Sequence, residues 1–176
     1  MNIQTARAIP TLIASTFLIA ACASAPATRY DAIATLSAAS GSQVSGSVSF
    51  RVIPGGIHLD ASVAGLTQGG HGFHVHEVGD CSAADASSAK GHFNPFGKSH
   101  GSYEHGDHHS GDMPNLVADA DGKAVLSVDL LGLSISGGDT NIIGRALVIH
   151  ADPDDYKSQP AGNSGKRIAC GVIKPT

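Results

Sequence analysis

Residues 44–63 read VSGSVSFRVIPGGIHLDASV. Val44, Gly46, Val48, Phe50 and Val52 alternate with Ser45, Ser47, Ser49 and Arg51, and Ile57, Leu59, Ala61 and Val63 alternate again after Pro54-Gly55-Gly56. A period of two is the pattern of a strand with one buried and one wet face. The Pro-Gly-Gly break is a turn signal. The stretch therefore predicts an antiparallel hairpin with one solvated side. His58 falls on its wet face and needs no further role.

The rest of the chain continues in the same manner. Gly69-Gly70 leads into a short apolar run through His74, and Asp121-Gly122 turns into Ala124–Leu130. Strands are also expected over Ile142–His150 and Ile168–Ile173. No stretch has a convincing helical period. With 22 glycines and no Trp, many short strands joined by turns fit better than helices. A length of 176 residues suits one domain with a sizeable core. Residues 79 to 114 and the polar segment up to Lys166 are too long for plain turns. Such loops are usually functional. The formal charge of −4 argues against a nucleic-acid partner.

The first of these loops, with the strand before it, is dense in metal-ligand side chains. His74 and His76 are i and i+2, so both rings point to one face of a strand while Val75 points away into a core. His92 heads a second group, with His100, His109 and Asp112 lying 8, 17 and 20 residues beyond it. A lone histidine is more often a hydrogen-bonded core residue than a ligand, but this density suggests two metals. Three His and one Asp make a closed tetrahedral set of the kind that holds structural zinc. His74 and His76 with a distant fourth His make a nitrogen site that suits copper. If His92 serves both ions it must use both ring nitrogens as a bridge. His105 and His108 leave the register of the second group ambiguous by composition. His71, three before His74, reads as a hydrogen-bonding strut.

Four segments carry a family resemblance: Gly72-Phe-His-Val-His-Glu77, Gly91-His-Phe-Asn-Pro95, Val148-Ile-His-Ala-Asp152 and Gly165-Lys-Arg-Ile-Ala-Cys-Gly-Val-Ile173. Each is moderately specific, and in this order they resemble the copper,zinc superoxide dismutase family over residues 30–176. The resemblance implies an all-β, eight-stranded Greek-key β-sandwich or flattened barrel with two long functional loops. It implies copper on His74, His76, His92 and His150, and zinc on His92, His100, His109 and Asp112. It chooses His109 over its neighbours. It further implies Asp154 as the carboxylate joining a copper His to a zinc His, with Asp155 the competing choice. Cys81 and Cys170 would form the family disulfide. Arg167 would guide the anion at the copper mouth, where Lys157 and Lys166 are weaker substitutes.

The activity implied is dismutation of superoxide by copper redox cycling, with His92 and Arg167 as the residues that act on substrate. The rival reading is a metal-handling envelope protein on the same fold. A purely structural sandwich is a remote third.

Residues 1–21 read as a targeting segment. Arg7 precedes an apolar run, Thr11 to Ala21, that is too short and too weakly flanked for a lasting membrane span. Ile19-Ala20-Ala21-Cys22 resembles a bacterial lipoprotein signal, which predicts a lipid anchor on Cys22 and a tether over 22–29. Cys22 is also the odd one of three cysteines. Ordinary cleavage after Ala23 or Ala25 is the alternative. The expected location is the periplasmic side of a bacterial envelope, and the chain leaves monomer and homodimer equally open. Removing residues 1–21 takes away Arg7 and no acid, so the charge moves from −4 to −5. Steering of an anionic substrate must therefore be local.

Overall fold

The computed structural model describes residue 1 and residues 29–176. The targeting segment 1–21, the lipidation candidate Cys22 and the tether up to residue 28 lie outside the described residues.

Among the described residues, ten strands and one 3-10 turn make up the fold. They are β1 (Ala32–Ala38), β2 (Ser45–Ile53), β3 (Gly56–Ala64), β4 (Gly69–His71), β5 (Phe73–His76), β6 (Leu116–Ala118), β7 (Ala124–Leu131), β8 (Ala146–His150), β9 (Arg167–Val172) and β10 (Lys174–Pro175), with the 3-10 turn at Ser87–Ala89. Eight strands form one curled antiparallel sheet in the order β5-β8-β9-β1-β2-β3-β7, with β10 on β1; β4 and β6 pair separately. The order is that of Greek-key connections: β8 lies between β5 and β9, and β7 returns to pair with β3. Among the described residues no helix is long and apolar enough to cross a membrane.

The predicted hairpin forms with continuous register from Ser45↔Ala64 to Ile53↔Gly56. Its inward residues Val48, Phe50, Ile57 and Leu59 are fully buried and pack with Phe73, Val75, Leu147 and Ile149. One position departs from the alternation: Val52 is 54% exposed. β1 begins at Ala32, opposite Phe50, so Val52 has no neighbouring strand on that side. Its cross-strand partner Ile57 is flanked by Leu130 of β7 and stays buried.

Two long loops leave this sheet, between β5 and β6 and between β8 and β9. The first is held at three points. The Cys81–Cys170 disulfide fixes it to β9. With a sequence separation of 89 between the cysteines, chain entropy alone gives about 4–5 kcal/mol. Isolated bridges pair His74 with Asp112 and His76 with His92, so the loop returns twice to β5. Gly111 makes the second approach possible, because a Cβ there would collide with the carbonyl of Val75.

The two loops are clasped to each other. The His100 N–H donates to Gln159 Oε1 (2.9 Å), and Gln159 Nε2 donates back to the His100 carbonyl (2.8 Å). Asn115 and Asp154 form a second reciprocal pair, at 2.8 and 3.0 Å.

Candidate metal centre

β5 is buried at every position. Its alternation turns His74 and His76 to one face and sends Val75 into the core. His150 at the end of β8 and His92 from the first loop complete one set of four buried rings. His92, His100, His109 and Asp112 form a second. In each set the candidate donor atoms lie within 4.8 Å of one another. His92 belongs to both. Its Nδ1 faces Asp112 Oδ1 at 2.8 Å and His109 Nδ1 at 3.4 Å, while its Nε2 is turned away from that group.

Among the described residues, three buried side-chain nitrogens have no hydrogen-bond partner: His74 Nδ1, His92 Nε2 and His100 Nδ1. His100 Nδ1 is 3.1 Å from Asp112 Oδ2, close enough for charge attraction but without hydrogen-bond geometry. An unsatisfied buried polar atom costs about 1–3 kcal/mol. Each of these atoms belongs to one of the two sets, so a cation in each set would relieve them. Four nitrogens fit copper, and three nitrogens with one carboxylate fit zinc.

The other ring nitrogens are held by the protein, which fixes how each ring is presented. His76 Nδ1 donates to the Lys90 carbonyl (2.9 Å), which leaves Nε2 facing His150 Nε2 at 3.4 Å. His150 Nδ1 lies 3.3 Å from the Gly165 carbonyl. Asp154 joins the sets, accepting from His74 Nε2 at 2.8 Å and from His100 Nε2 at 2.9 Å. Gly162 stands against this carboxylate, where any Cβ would collide with it. Asp155, the competing choice, instead caps a surface turn at Lys157 and Ser158. His71 gives no donor to either set. Its ring spans the carbonyls of His150 (2.8 Å) and Thr67 (2.9 Å). His58 sits on the outer sheet face against Asp129 and Asp60.

The charges divide the two sets. Burial, and then neighbouring rings, push His76 well below the usual imidazole range, His92 down to about 4 and His150 down to about 3. At neutral pH these rings keep free lone pairs. Burial would also lower His100, but Asp112 and Asp154 outweigh it and raise His100 to about 9. Burial opposes ionisation of Asp112 and Asp154, yet the surrounding imidazoles hold both below the usual carboxylate range. The second set is thus the one that holds an ionised carboxylate, Asp112, paired with a charged imidazole, His100.

Arg167, the first residue of β9, borders the first set. Its Nη1 donates to the Ala86 carbonyl (2.7 Å) and its Nη2 to the Lys90 carbonyl (2.5 Å). The Lys90 carbonyl therefore receives both the guanidinium and His76. Lys90 adopts φ 63° and ψ −147°, a region that normally needs glycine and costs about 1–3 kcal/mol. That backbone angle aims the carbonyl, and no side-chain pattern signals it. Asn115, Gln159 and Tyr156, whose hydroxyl accepts from the Asn115 N–H at 2.8 Å, were equally silent in the sequence, because amides and phenols at loop positions have no spacing rule. Lys157 and Lys166 are exposed.

Comparison with known proteins agrees with this geometry. Residues 44–173 match the family described as copper/zinc superoxide dismutase. A copper-zinc superoxide dismutase of Caulobacter vibrioides is 41% identical over 135 residues, which cover 73% of this chain and 78% of that protein. Two from Aquifex aeolicus are 51% and 52% identical over 106 residues. The match covers 58% of this chain and only 62% and 63% of those two relatives. The crystal structure of a double mutant of a SOD-like protein from Bacillus subtilis superposes with a TM-score of 0.72 at 38% identity, covering 81% of this chain and 96% of that one. Family match, sequence identity and superposed fold agree, and the chain belongs to the copper/zinc superoxide dismutase family.

Proposed function

We propose that the protein is a superoxide dismutase of the bacterial cell envelope, with copper held by His74, His76, His92 and His150 and zinc by His92, His100, His109 and Asp112. The observation that carries this reading is one buried imidazole, His92, shared by two four-donor sets. The overall reaction takes two superoxide anions and two protons to one O₂ and one H₂O₂. Copper, when bound, supplies the one-electron redox chemistry, and zinc supplies fixed charge and order.

The chain's residues supply the rest. His76 and His150 present Nε2 because carbonyls face their Nδ1 atoms. His92 Nε2 has no protein partner, so it is the atom that can take a proton and give it to the departing peroxide. His92 Nδ1, beside Asp112, keeps the ring from turning while it does so. Arg167 draws in the anion and orients it.

Equilibrating the purified mature protein with both ions should give one copper, one zinc and dismutase activity. A single saturable site would overturn the two-metal reading. Full loading without activity would favour a metal-handling role on the same fold.

Asp154 is a positioning residue for both sets. Asp154→Asn keeps the shape but offers one acceptor where two ring N–H groups now donate. Competition with a chelator should show roughly 10- to 100-fold weaker binding of both metals, the usual effect of losing an outer partner. Weakening of one metal alone would deny the link.

The disulfide suits a compartment outside the reducing cytosol. Attachment to a membrane through Cys22 rests on the Ile-Ala-Ala-Cys signal and the pairing of the other two cysteines. Cys22→Ser should move the protein from the membrane to the soluble fraction. An unlipidated N-terminus beyond Cys22 in the native host would refute the anchor.

A further inference from the structure

The zinc-type set is sealed. His92, His100, His109 and Asp112 are each under a tenth exposed. An ion with a hydration shell needs a way in. Of these four donors, Asp112 alone also lines a solvent-open cavity, of about 430 Å³, next to the set. Around Asp112 the cavity wall carries Glu104, His105, His108 and Asp129. His105 and His108 are the loop histidines that neither donor set uses.

The wall groups are chemically suited to a borderline cation. Imidazole and carboxylate are its usual ligands. His108 Nδ1 lies 2.7 Å from the His109 carbonyl, so in the neutral ring Nδ1 donates and Nε2 keeps its lone pair. His108 lies on the cavity wall and His109, the next residue, in the donor set, so one step along the chain joins the two. Lys98, a cation of the same loop, is paired with Asp107 at 2.7 Å. The anion side of the centre lies elsewhere, at Arg167, and His92 aims a different nitrogen at each side. An acidic cavity there would repel superoxide, whereas here it attracts a cation without touching the anion's route.

We propose that this cavity is the loading port for zinc, in which His108 and His105 hold the ion transiently before it passes Asp112 into the His92–His100–His109–Asp112 set. The inference rests on the zinc assignment above and adds a route to it. A port acts on rates. It lowers the barrier in both directions, so loading and release change together while affinity does not. A group that merely props up the donor set would change affinity instead.

The test uses the mature, metal-free protein with cobalt(II), whose visible absorption reports a tetrahedral site, and then with zinc(II) against a chromogenic chelator. The variant is His105→Ala with His108→Asn. Asparagine keeps a donor near the Nδ1 position for the His109 carbonyl and loses the second nitrogen. Loading and release should both slow by about 10-fold, the low end of what losing an outer partner costs a metal site. The dissociation constant and final occupancy should stay at the wild-type values. Unchanged loading would overturn the port. So would a raised dissociation constant at unchanged loading rate, which would make His108 a strut for His109. Failure of the wild type to take up cobalt or zinc would sink the zinc assignment itself, a separate result.

Discussion

Replacing His92 by Ala should empty both donor sets together. The ring contributes Nε2 to one side and Nδ1 to the other, and all of its surroundings depend on that double use. Losing an outer partner of a metal ligand typically weakens binding 10- to 100-fold. Losing a direct donor should therefore weaken each metal by at least about 100-fold. The damage extends beyond two missing bonds. Asp112 loses an imidazole 2.8 Å away, one of the three that keep its buried carboxylate ionised. Metal analysis after equilibration with both ions should find less of each, and dismutase activity should fall to the metal-free background. Asp112→Ala is the contrasting case. It removes a donor from the second set alone, so zinc and the loop should loosen chiefly, while the shared ring of His92 loses only a neighbour at 2.8 Å and copper should weaken far less. If His92→Ala retained either metal at wild-type affinity, the shared-bridge reading would be wrong.

What the sequence revealed follows from how local each constraint is. The period-two pattern of residues 44–63 needs only neighbours along one strand, so the hairpin was legible. Val52 was misplaced because its burial depends on where β1 begins, and nothing in residues 44–63 encodes that. The pair His74 and His76 was legible because i and i+2 on a strand share a face whatever the rest of the fold does. The second group was legible as a density of ligands but not in register. Choosing His109 over His105 and His108, and Asp154 over Asp155, needed the family's spacing. The structure places His109 and Asp154 inside the centre, His105 and His108 on a cavity wall, and Asp155 on a surface turn. The carbonyls of Lys90 and Gly165 were invisible, since every residue has a carbonyl and only the backbone angle decides where it points.

Arg167→Ile should lower the second-order rate by about 10-fold or more, with copper still bound. The chain carries a formal charge of −4, so the average field opposes a small anion. One fixed cation at the mouth can reverse that sign locally. Charged clefts, those of this family among them, raise encounter rates by about 10- to 1000-fold, and salt weakens the effect. The geometry adds a second contribution. Two of the guanidinium's five N–H donors are spent on the Ala86 and Lys90 carbonyls, which pin the fork in place. The remaining donors can meet the anion without first being ordered. Burial lowers the Arg167 pKa, with Asp85 opposing, but from so high a starting value that the charge survives at neutral pH. Arg167→Ile should therefore also flatten the dependence of rate on ionic strength. Arg167→Lys should fall between, because the charge stays while the fork is lost. Either change frees a carbonyl that also holds His76, so copper occupancy must be measured beside the rate. A wild-type rate and salt slope in fully copper-loaded Arg167→Ile would remove the guiding role. Lys157 and Lys166, both exposed on the second loop, would then be the next cations to change.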